Sequence, residues 1–162
     1  MSTSGATGRH LATGSEWPPV RLLLAALLVL AVGCSRAPGK GWSPEEGQGT
    51  LSLDGTYWVS VLYHGTSVVA GEVPLNEEFD VEVRLFDGAT REPIVEGVEL
   101  RVDARMPVHG HGMKQDARAE QQTDGSWLAR PVLLHMTGPW ELHVDVTRGA
   151  VTERAQYAIV LE

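Results

Sequence analysis

Period-two alternation dominates this chain after its first fifty residues, and it leaves little choice but antiparallel sheet. Phe79, Val81, Val83 and Leu85 alternate with Asp80, Glu82 and Arg84. Val98, Leu100, Val102, Ala104 and Met106 alternate with Glu99, Arg101, Asp103 and Arg105, and Trp140, Leu142, Val144 and Val146 alternate with Glu141, His143 and Asp145. Successive side chains on a strand point to opposite faces, so each segment has one apolar face and one charged face. Residues 56–63, 127–134 and 155–161 are further strand candidates. Turn signals at Asp54-Gly55, Asp87-Gly88, Asp124-Gly125 and Thr137-Gly138-Pro139 separate the strands. No stretch beyond Cys34 shows a convincing helical period. Six or seven short strands, each apolar on one face, predict an all-β antiparallel sandwich over 51–162, immunoglobulin-like or cupredoxin-like. The pattern does not separate those two.

Ahead of the strands, Leu22 to Val32 reads LLLAALLVLAV, preceded by Arg21 and followed by Gly33-Cys34. As a helix this run is roughly 17 Å long, against the ~30 Å a spanning helix must cross, so it has the shape of a signal peptide. Ala31-Val32-Gly33-Cys34 resembles the lipobox of bacterial lipoproteins, with Ala31 where the family usually has leucine. The resemblance implies acylation of Cys34, the chain's single cysteine, after removal of 1–33. Full acylation of that residue meets the two-chain requirement for stable anchoring in a bilayer. Residues 1–19 are a long polar lead for such a signal, and initiation at Val20 stands beside initiation at Met1. Residues 34–50, rich in Gly and Pro with Trp42 as their main apolar group, read as a lipidated flexible tether, with Trp42 near the membrane interface.

The formal charge of the whole chain is −8, and loss of Arg9, Arg21 and Glu16 takes the mature part to about −9. Such a field disfavours nucleic acid and gives no basic surface for anionic lipid. With its sulfur acylated, Cys34 supplies neither a disulfide nor a thiolate, so any soft metal donor is methionine or histidine. One segment does not look like scaffold: Met106-Pro107-Val108-His109-Gly110-His111-Gly112-Met113. Continued alternation puts Met106 inward, with the core, and His109, His111 and Met113 together on the opposite side. Alternate residues on a straight strand lie ~6.5 Å apart, so joint ligation needs the bending that Gly110 and Gly112 allow. His135 and Met136 end another strand candidate just before a turn. If the two loops meet, imidazole and thioether favour copper, particularly Cu(I), with zinc second. An exposed glycine hairpin whose histidines bind nothing is the competing reading. His143 reads as solvated between Glu141 and Asp145, and His64 as an isolated turn residue.

The same string, followed by Gly125-Ser126-Trp127 and then Met136-Thr137-Gly138-Pro139-Trp140 ahead of an alternating strand, resembles the YtkA-like and FixH-like families over roughly 79–146. The resemblance implies a small extracytoplasmic β-sandwich, often membrane-attached and associated with copper handling or oxidase assembly. Position by position it points to Met106, His109, His111, Met113 and Met136. A thinner likeness, to periplasmic Cu(I) chaperones of the PCuAC type, rests on the spacing of Met113 from His135-Met136; that family places one residue between its His and Met.

Two functions follow as expectations. One is a non-catalytic, lipid-anchored copper-binding protein that passes its ion to a membrane partner such as an oxidase. The other is a metal-free module that presents a loop or edge strand to another envelope protein. Without a G-x-S-x-G motif, a free cysteine nucleophile or a compact acid and base pair, an enzyme is not expected. The expected location is the extracytoplasmic side of the cell envelope. Ser35 after the cysteine favours the outer membrane in a diderm cell, by analogy with lipoprotein sorting.

Overall fold

The computed structural model describes residues 42–162, which form one compact unit. Cys34, the apolar run, both candidate start sites and the first part of the expected tether lie outside the described residues. Ten strands follow in order: β1 (Gln48–Leu51), β2 (Tyr57–His64), β3 (Glu78–Asp87), β4 (Pro93–Ile94), β5 (Glu99–Met106), β6 (His111–Gly112), β7 (Arg118–Gln121), β8 (Trp127–Leu133), β9 (Gly138–Arg148) and β10 (Val151–Leu161). No helix occurs among the described residues. One sheet runs β1-β2-β3-β8-β7 with β4 added beside β3, and the other runs β10-β9-β5-β6. All pairings are antiparallel.

The alternation seen in the sequence is the sandwich interior. Phe79, Val81, Val83 and Leu85 of β3 meet Val102, Ala104 and Met106 of β5 and Trp140, Leu142, Val144 and Val146 of β9 in one buried cluster. Burial of such apolar side chains contributes about 1.5–3 kcal/mol each, the main force holding the two sheets together. Tyr157 of β10 crosses between the sheets, its hydroxyl donating to the Val59 carbonyl at 2.7 Å. Beside it Glu153, nearly buried, accepts from the Ser52 hydroxyl at 2.7 Å and from the Thr56 amide at 3.4 Å. The loop between β1 and β2 is thereby tied to the opposite sheet.

The described part of the expected tether, residues 42–50, is instead docked on the domain. The Trp42 ring stands edge-on to Phe86 at 6.1 Å, with the Arg84 guanidinium 5.5 Å from its centre. Trp58 donates to the Pro44 carbonyl at 3.0 Å, and the Ser60 hydroxyl donates to the Glu46 carbonyl. Gly49 is required where the Trp58 ring crosses the chain, because a Cβ there would lie 2.4 Å from that ring. Composition made this segment look free. Its few apolar and carbonyl groups are the ones that hold it, and Trp42 faces the sheet rather than an interface.

Candidate metal centre

The hairpin joining β5 to β6 builds the first half of the site. Past Met106 the chain turns through residues 107–110, with the amides of His109 and Gly110 both donating to the Met106 carbonyl, at 3.2 and 2.9 Å. Gly110 sits at φ +66°, a left-handed conformation that glycine adopts at no steric cost. The returning strand pairs His111 with Met106 and Gly112 with Arg105, and the Met113 amide donates to the Ala104 carbonyl at 3.1 Å. Directly opposed residues in an antiparallel pair share a face, so His111 lies on the side of Met106, not across from it. Straight continuation of the alternation had put these two on opposite sides. The reversal at 107–110 resets the parity and carries Met113 inward, where it packs against the core.

His109 and His111 are exposed, their rings nearly parallel at 24° with centres 6.3 Å apart. Two imidazoles sharing one ion at ~2.0 Å bonds hold their centres within about 6.5 Å, so this pair falls at the limit for bridging a single ion.

The loop after β8 supplies the second half. His135 and Met136 are half-buried. Trp140 donates its indole N–H to the Met136 carbonyl at 2.9 Å and stands edge-on to the His135 ring at 5.7 Å. Gly138 presses on the methyl of Met106, since a Cβ at Gly138 would lie 3.1 Å from it. Gly138 thus packs on Met106, the fully buried residue at which the hairpin begins. The His135 imidazole is held below its ordinary pKa, first by burial and then by the positive charges of Lys114 and His111. A neutral ring is the ligating form. Its Nδ1 is buried and lacks a hydrogen-bond partner among the described residues. An orphaned buried nitrogen costs about 1–3 kcal/mol, a deficit that a bound cation can remove.

Among the described residues, no three of His, Cys, Asp and Glu stand where they could hold a metal ion together. By residue type, the donors this end of the sandwich offers among the described residues are the imidazoles of His109, His111 and His135 and the thioethers of Met113 and Met136. That set is soft and uncharged; it fits Cu(I) and fits magnesium or calcium poorly. The residues agree with copper on donor chemistry.

Two other histidines stand apart. His143, expected to be solvated, is 2% exposed. It occupies the middle of the sheet between Asp103 on β5 and Gln156 on β10, with Glu141 at 3.2 Å and Gln156 at 3.3 Å. Strand parity aims its side chain outward correctly, but cover by neighbouring strands cannot be read from one strand. His64, at the end of β2, pairs with Glu82 at 2.8 Å and takes no part in the centre.

No family model and no curated protein matches the chain. The structure is similar to the copper-bound variant of FetP from uropathogenic Escherichia coli, at 8% identity and TM-score 0.46, covering 71% of this chain and 94% of that one. It is also similar to copper-reconstituted P19 from Campylobacter jejuni, at 9% identity and TM-score 0.41, over 70% and 95% of the two chains. A DUF4426 family protein from Pseudomonas aeruginosa gives 14% identity and TM-score 0.43, over 70% and 96%. With TM-scores below 0.5, these likenesses carry no weight for ligand or activity. The resemblance to YtkA-like and FixH-like domains stays one of motif.

Proposed function

We propose that this protein is a non-catalytic, extracytoplasmic copper-binding protein, anchored to a membrane through acylated Cys34, that delivers Cu(I) to a membrane partner such as an oxidase. The observation that carries the reading is the packing of the 135–138 loop on Met106 at the base of the β5–β6 hairpin, which sets His111, Met113, His135 and Met136 at one end of the sandwich. Cu(I) moves between such sites by exchange of neutral ligands, with no proton or electron transferred. Thioethers keep the affinity for harder ions low.

The test is titration of the Ser35–Glu162 fragment with Cu(I) against a chromophoric Cu(I) chelator. The wild type is expected to withdraw one equivalent, and a His109→Ala/His111→Ala variant to lose affinity by about tenfold or more. A wild type that withdraws no copper overturns the reading. The anchor is tested separately in cells: Cys34→Ser is expected to abolish incorporation of labelled palmitate and to release the protein from the membrane fraction. Retention of the label would place the acyl chains elsewhere.

A metal-free interaction module is the second reading, and the free edge of β10 favours it. The Arg154 carbonyl accepts from the Leu53 amide at 2.9 Å, so even-numbered residues of β10 turn their backbone groups away from β9. Those of Gln156, Ala158 and Val160 have no further backbone partner among the described residues. An uncharged edge of this kind accepts an added strand. On that reading, the double histidine variant keeps its partner.

A further inference from the structure

We propose that β10 is the contact edge of a homodimer, in which two copies of this chain pair their β10 strands antiparallel about a two-fold axis at Ala158 and join their four-stranded sheets into one. The inference goes beyond the copper reading and does not depend on it. It gives the free edge of β10 a definite occupant.

Among the described residues, β10 is the one sheet edge left open at length. The other edge strands, β1, β4, β6 and β7, have two to four residues each, too few to template a further strand, whereas β10 has eleven. Its last six, Gln156-Tyr157-Ala158-Ile159-Val160-Leu161, carry no charge and no proline, the side chains that commonly guard an edge. Tyr157, Ile159 and Leu161 face the core, and Val160 on the other face is 69% exposed. Beside Ala158–Leu161 the edge borders an open cleft of about 490 Å³ that also touches Tyr63, Val73 and Leu75. An arriving strand has room there.

A contact between like copies must be self-complementary, a condition that a strand of another protein need not meet. The free backbone groups of β10 meet it. The Leu53 amide already occupies the Arg154 carbonyl, at 2.9 Å, so the free set starts at Gln156 and consists of Gln156, Ala158 and Val160. With the axis at Ala158, that residue pairs with itself and Gln156 pairs with Val160 of the second copy, twice by symmetry. Each of these is a doubly hydrogen-bonded pair, so six bonds form and every free group is used once. No other axis pairs the three residues with one another. An axis at Gln156 would call on the Arg154 carbonyl that Leu53 holds. Side chains agree with the same register: the residue that meets itself is a small alanine, and Arg154 comes beside Glu162 of the second copy. Opposite charges face each other across the pair, which matters for self-association of a chain with a formal charge of −8. One strand pair falls below the ~1,200 Å² of a standard stable interface, so the dimer is weak and builds up with concentration.

Sedimentation of the Ser35–Glu162 fragment from micromolar to millimolar concentration tests the proposal, and its mass is expected to rise toward that of a dimer. Ala158→Pro removes the central N–H donor on the side away from β9, so the strand keeps its own ladder. That variant should match wild type by far-UV circular dichroism and associate at least about tenfold more weakly. The register is read by cross-linking, which stays informative if the proline variant fails to fold. Cys34 precedes the fragment, so Ala158→Cys and Gln156→Cys each carry one thiol. Facing residues of a hydrogen-bonded pair lie ~5.5 Å apart at Cα, within disulfide range, whereas two copies of position 156 are offset by roughly 13 Å along the strands. With diamide as oxidant, Ala158→Cys should form the disulfide dimer at least about tenfold faster than Gln156→Cys. A fragment that stays monomeric at millimolar concentration overturns the proposal and leaves the edge to a strand of another protein. Association unaffected by Ala158→Pro, or equal cross-linking at the two positions, overturns it as well. Copper uptake is measured apart from association: a dimer that withdraws no copper overturns the proposed function and leaves the dimer standing.

Discussion

Trp140→Ala is expected to lower the unfolding free energy by about 3–5 kcal/mol, measured by urea denaturation of the Ser35–Glu162 fragment. The ring is 1% exposed in the central cluster, and its removal opens a cavity between β9 and the end of β5. It also holds the candidate site, through the hydrogen bond to the Met136 carbonyl and the edge contact with His135. Trp140→Phe separates the two roles. Most of the apolar burial survives, so the loss should fall to about 1 kcal/mol, the worth of one net hydrogen bond. Copper affinity should still drop, because Met136 and His135 lose their shared support. A Phe variant with unchanged affinity would limit Trp140 to packing.

Acid unfolding is the second large effect. Burial pushes the Glu153 carboxyl up, but hydrogen bonds from Thr56 and Ser52 outweigh it and leave the group below its ordinary pKa. Asp145 is lowered mainly by the Arg154 guanidinium, which donates twice, at 2.6 and 2.8 Å, against an opposing effect of burial. For carboxyls depressed in the folded state, the stabilisation is fully present above the unfolded values of about 3.9 for Asp and 4.3 for Glu, and disappears as pH falls through the lower folded values. The melting temperature should therefore be nearly flat from pH 7 to 5 and fall steeply below 4. Glu153→Gln is expected to cost about 1.5–3 kcal/mol at pH 7, the range for hydrogen bonds to a charged group. The deficit should shrink as pH falls, since a protonated carboxyl and the neutral amide of the variant then accept alike. A deficit that stays constant down to pH 2.5 would show that shape, not charge, matters at this position.

What the sequence made legible was what repeats within one strand. Of the six longer strands, β3, β5 and β9 announce themselves because seven or more residues of alternation cannot be mistaken for a helix, whereas β2, β8 and β10 were legible only as candidates; the inward faces of all six form the observed core. The short strands β1, β4, β6 and β7 have two to four residues each, too few to show a period, and exist because a neighbour supplies their hydrogen bonds. The candidate site rests on residue type, and its local geometry departs from straight alternation. His111 was assigned to the side opposite Met106 because nothing in MPVHGHGM marks where the chain reverses; the two amides closing on the Met106 carbonyl decide it. His143 failed for the complementary reason. Its own strand left it open, and Asp103, Gln156 and Glu141 from around it closed it.

The docking of residues 42–51 against the sheet changes how far the domain can roam. On the proposed acylation of Cys34, seven residues, 35–41, lie in sequence between the anchor and Trp42, which packs on Phe86. Eight peptide units reach at most about 28 Å. A hemisphere of that radius confines one domain at an effective concentration on the order of tens of millimolar. If the proposed anchoring and delivery hold, even a weak contact with a membrane partner would be occupied most of the time within such a volume, and delivery would need no tight complex. Lengthening the leash would dilute the encounter without touching a single ligand.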